Sequence, residues 1–410
     1  MALRVLSGQN FNMLRVAASI VPSSADPLYS LSALYDNASD AFWKFGTFAG
    51  GENALIDGDQ LVYGNFENWS GGAPVGWVVA GTVAQDTVVK AGAFSAKISG
   101  TTGSVSRILT LTSGRHYVLD GWVEGDGALG KYHAYLQNLA TKSWWNGAAW
   151  QAAKVEVVAP ATTASYQNVL QTLQLEGFQA CGGDLVNVQL TVACLEAGFC
   201  RADEFYVYPT IDYCGIHGHS IDSGVAPTIA SAPNNPGGSL TFTTQATMGV
   251  LQPVFYSVLG ARVANRWWKF TLPVANQAEA GLAELVLGET YTLGRPQDFD
   301  WSVSPMFDQV EAVNRQGKRF EFPLSDYPHR AIGLNFLYPT LANYAEARDE
   351  IVARSLGVAN PLIVIPDDSD PVMAALCRQT AKWNVKRHLG NVWNASALTF
   401  EEQPFLGQAR

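Results

Sequence analysis

Leu61-Val62-Tyr63-Gly64-Asn65-Phe66-Glu67-Asn68-Trp69, then Pro74-Val75-Gly76-Trp77, opens a self-contained unit that closes near Ala202-Asp203-Glu204-Phe205-Tyr206-Val207-Tyr208-Pro209. Between these ends the chain alternates apolar and polar residues in short runs broken by Gly, Pro, Asn and Asp. Arg107-Ile108-Leu109-Thr110-Leu111, His116 to Val123 and Leu185 to Val192 are the clearest. A period of two marks strands with one face buried, and strands at this spacing predict a sandwich rather than βα units. The same texture extends to about residue 290. For residues 61–209 to be inserted into a host domain, the two ends must lie side by side, as sandwiches commonly allow.

The length of 410 residues exceeds one ordinary hydrophobic core and implies two or three domains. Charged residues make up 15%, well below the roughly 25% of an average globular protein. With few charges to desolvate, such surfaces suit subunits packed into a large assembly. The net charge of −10 argues against nucleic-acid binding, which needs Lys and Arg in excess on one face. The longest basic run, Lys386-Arg387-His388, reads as a solvated helix end. No run reaches the ~18 to 20 apolar residues of a membrane span, and Met1 to Val21 lacks the apolar core of a cleaved signal. Five cysteines (Cys181, Cys194, Cys200, Cys214, Cys377) stand in apolar runs without CxxC spacing. They read as reduced, buried residues of a protein made in cytoplasm, and no zinc site is visible.

The pattern Gly64-Asn65-Phe66-Glu67, Gly76-Trp77, Ala91-Gly92-Ala93-Phe94-Ser95-Ala96-Lys97-Ile98 and Tyr117-Val118-Leu119-Asp120-Gly121-Trp122-Val123 resembles the jelly-roll carbohydrate-binding modules of glycan-active enzymes and phage tail proteins. On that pattern Phe66, Trp77, Phe94 and Trp122 face the core and Gly92 makes a tight turn. The resemblance implies a structural calcium ion held by Glu67 and Asp203; the alternative makes both ordinary surface carboxylates. Sugar recognition needs aromatic faces with amide and carboxylate partners. The residues positioned for it are Trp144, Trp145 and Trp150 in Lys142-Ser143-Trp144-Trp145-Asn146-Gly147-Ala148-Ala149-Trp150, with Tyr132 and Tyr135 on the preceding strand. Asn146-Gly147 signals a hairpin turn, and adjacent Trp144 and Trp145 must point to opposite faces. Packing at the sandwich edge or on a neighbouring subunit is the competing role for these rings.

Removing that unit joins Asp36 to Trp43 with Ile211 to Ser220, followed by Val263-Ala264-Asn265-Arg266-Trp267-Trp268-Lys269-Phe270 and Ala283 to Glu289. In this order the segments resemble a discoidin-like (galactose-binding-like) jelly roll of phage virion proteins, covering residues 1–60 and 210–290. Residues 291–410 resemble the region that follows such a domain. There Arg315 to Arg319 reads as a hairpin turn, and Arg330 to Leu337 and Pro361 to Pro366 read as strands. Ala342 to Leu356 and Pro371 to Leu389 read as helices, the second with Asp370 as N-cap and Pro371 at its first position. The expected fold is therefore mainly β: two jelly-roll β-sandwiches, one inserted in the other, plus a small α+β C-terminal region. His217 and His219 share one strand face, but with no third ligand beside them they read as core or turn histidines. Arg266 reads as stacked on an aromatic ring or paired with an acid.

GxSxG, GxxxxGK[ST] and HExxH are all missing, which argues against an enzyme. The densest acidic clusters, Asp298-Phe299-Asp300 and Asp367-Asp368-Ser369-Asp370, fit turns and a helix start. The resemblance implies a structural component of a phage virion (tail, tail tip or fibre base) made in the host bacterial cytoplasm. Its partners would be other virion proteins, copies of itself and a host surface glycan met by the inserted unit. The alternatives are a particle-stabilising decoration protein without sugar binding and a polysaccharide-degrading tail enzyme.

Overall fold

The computed structural model describes residues 4–7, 13–15, 19–22, 32, 43–44, 52–175, 185–219, 226–251, 254–272, 281–292, 299–306, 309–313, 319–323, 329–338, 345, 351, 361–369, 374–380, 385–387, 393–395 and 398–402. The chain is mainly β. Ten strands between Val78 and Pro209 form one continuous sheet, curled into a half-barrel, where two separate sandwich layers were expected. The strand Ser95–Thr112 is the cause. Its first residues, Ala96 to Ser99, pair with Phe199–Ala202, and Gly103 to Thr112 pair with Leu185–Cys194. Val78–Asp86 follows it on the other side, with a register shift between Ala80 and Thr82. Gly81 and Gly100 take left-handed φ values of 65° and 78° at the bend. A Cβ on Gly81 would stand 2.6 Å from the Thr102 carbonyl oxygen, so only glycine lets the two strands turn together.

The curl gives two facing walls. The first holds Tyr132–Asn138, Leu185–Cys194 and residues 103–112; the second holds His116–Gly125, Phe199–Pro209 and residues 95–99. Val186, Val188, Leu190 and Val192 alternate into the space between them, as a half-buried strand requires. Phe66 stacks on Trp77 with ring centroids 4.8 Å apart, and Phe205 meets both edge-on at 6.5 Å. Phe94 is half-buried. Trp122 does not enter the core, because Tyr117, Leu119 and Val123 on its strand already point inward and period two sends residue 122 outward.

Strands from both sides of this unit pair with each other. Glu52–Asp57 lies between Ser19–Pro22 and Trp267–Leu272 in one five-stranded sheet. Ile211–His219 lies between Val254–Val263 and Gly281–Gly288 in a second, which Trp43–Lys44 borders. Ile56, Trp268, Phe270, Ile216, Leu285 and Leu287 fill the core between the two sheets. Ile211–His219 is buried along its whole length because its other face meets a further layer. There Tyr213 and Val286 pack on Ile363, Ile365, Ala374 and Leu376. The Tyr213 ring crosses Gly215 to bring its hydroxyl 2.9 Å from His217 Nε2, so His217 serves packing; burial pushes its imidazole down to about 3.

The C-terminal region corrects the α+β expectation. Among its described residues only Ala345 and Ile351 are helical, and every other regular element is a strand. The rest of the stretch read as a helix from Ala342 to Leu356 lies outside the described residues. Within Pro371 to Leu389, Ala375–Gln379 and Val385–Arg387 are strands. The physical reason is two-sided burial. Ala375, Leu376 and Cys377 form a continuous apolar run hydrogen-bonded to Leu362–Ile365 on one side, while Cys377 to Gln379 bond Leu398–Glu402 on the other. A short run buried on both faces carries no periodicity that separates strand from helix. His329–Tyr338 and Leu362–Ile365 are strands, and Arg4–Ser7 joins this sheet beside Leu362–Ile365. Gln309–Val313 and Arg319–Pro323 form a hairpin whose tip, apart from Arg319, lies outside the described residues.

Candidate binding face

On Tyr132–Asn138 alternate residues divide cleanly. Tyr132, Ala134 and Leu136 point into the half-barrel, while His133, Tyr135 and Gln137 point outward, the first two buried there at 8% and 4% exposure beneath neighbouring side chains. Thr191 stands opposite Tyr135 and Gln189 opposite Gln137; beyond them come Ser106 and Ile108. Trp144 pairs with Gln137 at the near edge. The His133 and Tyr135 rings lie parallel within 9° at 6.3 Å, and Trp144 meets Tyr135 edge-on at 6.0 Å. The result is a wall of rings beside a platform of amides and hydroxyls.

Charged groups crown that wall. His133 Nδ1 lies 3.4 Å from Glu156 Oε1, and Nε2 lies 3.0 Å from Glu196 Oε1. The Tyr135 hydroxyl donates to Glu156 at 3.2 Å. The Lys154 ammonium sits 4.0 Å from the Tyr135 ring centroid and 5.6 Å from that of Trp144. Burial first, then the Glu156 charge, pushes the Tyr135 hydroxyl up to about 12. Burial acts to raise Glu156, but hydrogen bonds from its own backbone, His133 and Tyr135 outweigh it and hold the carboxyl below its usual range. The face thus presents an ionised carboxylate acceptor, a cation and aromatic edges within one small area.

The sequence-selected aromatics separate on this geometry. Trp144 is on the outer face, half-buried. Trp145 and Tyr132 are in the core at 5% exposure, and Trp150 packs against it. Trp145 and Trp150 tilt together at 5.4 Å, and Trp150 Nε1 donates to the Gln174 carbonyl at 2.8 Å. The hairpin between them closes through a loop, 146–149, where the Asn146 side chain accepts from the amides of Ala148 and Ala149. His133, Gln137, Gln189, Glu156 and Glu196 escaped the sequence reading. Alternation against Ala134 and Leu136 marks His133 and Gln137; Glu156 and Glu196 lie outside regular strands and carry no pattern.

Glu67 and Asp203 meet the same loop. Glu67 Oε1 accepts from the amides of Ala93 (2.8 Å) and Phe94 (3.1 Å). Asp203 Oδ2 accepts from Lys90 (2.7 Å) and Ala91 (3.4 Å), and Oδ1 from Glu204. Burial is the largest influence on the Asp203 carboxyl and pushes it up to about 7 against the pull of these N–H groups. Among the described residues no group of three or more His, Cys, Asp or Glu is placed to hold a metal ion. The two carboxylates act together as a clasp on the loop from Lys90 to Phe94.

The opposite wall is occupied by the neighbouring sandwich. Asp120 accepts from Asn234 at 2.8 Å. Arg266 lies 3.6 Å over the Tyr206 ring while its Nε and Nη2 grip both oxygens of Asp57 at 2.7 and 2.6 Å. Glu289 takes the His116 amide at 2.8 Å and approaches the ring Nδ1 at 2.6 Å, and Arg262 joins it at 2.6 Å. The surface carrying Trp144 and Tyr135 therefore faces away from the rest of the described chain.

No protein-family model matches the chain, and no curated protein does. Solved structures to which the chain is similar include the CBM22-1 xylan-binding domain of Paenibacillus barcinonensis Xyn10C: 17% identity, 35% of this chain and 90% of that one, TM-score 0.26. TmCBM61 in complex with β-1,4-galactotriose matches at 17% identity over 37% of this chain and 98% of that one, TM-score 0.26. Arabinose-bound MgGH51 α-L-arabinofuranosidase matches at 13% identity over 51% and 32%, TM-score 0.27.

Proposed function

We propose that the chain is a non-catalytic glycan-binding component of a phage particle, made in the bacterial cytoplasm and assembled with other virion proteins and copies of itself. The sugar would lie on the outer face of the first wall, against Trp144 and Tyr135. The observation that carries this reading is the gathering of Trp144, Tyr135 and His133 with the Glu156 and Glu196 carboxylates on the one wall that turns away from the neighbouring sandwich. Pyranose C–H groups pack on ring faces, while sugar hydroxyls exchange hydrogen bonds with carboxylates and with Gln137 and Gln189. Lys154 is exposed and on a flexible stem, so it can swing off the rings as a ligand arrives. The particle role is supported by the sequence resemblance and by the low share of charged residues, 15%.

A glycan array probed with the full chain, followed by titration of the retained sugar, tests this. Trp144→Ala combined with Tyr135→Ala is expected to weaken binding at least about ten-fold, as loss of aromatic anchors does. Undiminished binding overturns the assignment of the face. A second reading, a particle-stabilising protein that binds no sugar, is favoured by Ile108 and Val78. Ile108 is on the first wall and Val78 on the strand paired beside it; they are exposed by 55% and 69% and suit a protein neighbour. Retention in particles with no glycan captured supports that alternative.

A further inference from the structure

We propose that the strand Val78–Asp86 is an assembly edge, which pairs antiparallel with the same strand of a second copy of this chain, centred on Thr82. The strand is nine residues long and pairs with Ser95–Thr112 alone, so among the described residues the amides and carbonyls of its other edge have no strand beside them. Val78, Ala80, Gly81, Thr82, Ala84 and Gln85 are all exposed. The other borders of the same sheet are short: Trp150–Gln151, Gln167–Asn168 and Gln171–Gln174 span two to four residues each. An open edge is a template for another strand, and chains guard long ones with Lys, Pro or a covering segment. Val78–Asp86 contains no Lys, Arg or Pro.

That copies of the chain assemble belongs to the function proposed above; which edge joins them, and in which direction, follows from charge and symmetry. Asp86 is the one charged residue of the strand, and Arg201 at 2.9 Å and Lys97 at 3.9 Å compensate it within its own chain. Beyond the other end, the Arg107 guanidinium lies against Gly76, where a Cβ would stand 2.3 Å from Nη1, and that nitrogen is buried without a hydrogen-bond partner. Parallel pairing in register would set Asp86 against the partner's Asp86. Antiparallel pairing instead carries the acidic end of each strand to the end that Arg107 flanks on the other. A two-fold axis through Thr82, normal to the sheet, places Val78 opposite the partner's Asp86, Val79 opposite the partner's Gln85 and Ala80 opposite the partner's Ala84. No like charges then face each other, and the side chains that meet are small or uncharged on at least one side. Gly81, at its left-handed φ of 65°, bends each strand next to the axis, so both turn at the same place. The edge is thus complementary to itself, as a two-fold contact between identical chains requires.

Light scattering on the full chain across a dilution series reads the number of copies directly. Wild type is expected to form a two-copy species, with amide exchange in residues 78–86 slowed at least about ten-fold relative to the single-copy form. Thr82 is exposed, so a charge there leaves the fold of one copy intact but meets its own likeness at the axis. Thr82→Lys and Thr82→Glu are each expected to weaken association at least about ten-fold. Mixed in equal amounts, the two variants are expected to restore the two-copy species, since Lys then faces Glu; a misfolded variant cannot do this. A wild-type chain that stays single throughout the series, or a two-copy species that Thr82→Lys leaves intact, overturns the proposal. Copy number is read without sugar, so failure of glycan capture and failure of this edge are separate results.

Discussion

The carboxylate of Glu67 reaches two consecutive amides, Ala93 and Phe94, only because residue 92 has no side chain. A Cβ on Gly92 would stand 2.0 Å from Glu67 Oε1. Charge-assisted bonds of this kind contribute about 1.5–3 kcal/mol each. Glu67→Ala is expected to cost about 2–3 kcal/mol in chemical denaturation and to speed amide exchange at residues 93 and 94 selectively; unchanged exchange there removes the clasp. The sequence pointed to Glu67 and Asp203 as a pair at the two ends of the unit, and they do act on one loop. It could not show that their partners are backbone N–H groups, because every residue type carries that donor alike. The aromatics show the same divide. That Trp144 and Trp145 oppose each other followed from adjacency, but which one faces out depends on the register against Gln137 and on the loop 146–149.

At the scale of elements, the bend in Val78–Asp86 and Ser95–Thr112 turns a flat sheet into a curled one. Gly81→Ala places a methyl group 2.6 Å from the Thr102 carbonyl at a φ that L-residues avoid. The expected cost is about 1–3 kcal/mol, read as a lower denaturation midpoint with the slope unchanged; a neutral effect means that the two strands do not need the bend. Period two was legible in Leu185 to Val192, whose apolar residues alternate into the core. The continuity of the sheet was not, since a strand that serves both walls alternates in the same way as two shorter ones. The helix read over Pro371 to Leu389 failed for the converse reason. Asp370-Pro371 offers sound helix-start chemistry, yet Ala375 to Gln379 fills a gap between two strands that come from elsewhere in the sequence.

Across the whole molecule, the incoming and outgoing chains of the curled unit run side by side. The Gln60 amide donates to the Val207 carbonyl at 2.7 Å, and Asp59 Oδ1 accepts from Leu61 at 3.0 Å and Val207 at 2.9 Å. Burial pushes the Asp59 carboxyl up to about 7 against the pull of those amides and of Arg266. In the unfolded chain it ionises near the ordinary aspartate value. Its contribution to stability is therefore full at low pH, declines as pH rises from about 4 to about 7, and is lost above that. Asp59→Asn keeps the accepting oxygen and removes the charge. The variant is expected to melt above wild type at pH 8, by on the order of 2–4 kcal/mol, and to match it near pH 4. Equal melting at both values refutes the linkage.

That side-by-side junction also bears on how the chain comes to be folded. Glu52–Asp57 must find Trp267–Leu272 across everything that lies between them in sequence, and loose polymer of that length resists having its ends drawn together. Once residues 61–209 have collapsed on their own, their ends are already neighbours, and the intervening segment behaves toward the flanking strands like a tight turn. Residues 210–266 still have to be closed, and the entropic handicap falls by about 1 kcal/mol on a logarithmic loop-length scale. Early collapse of the middle of the chain would then set the pace for its two outer parts.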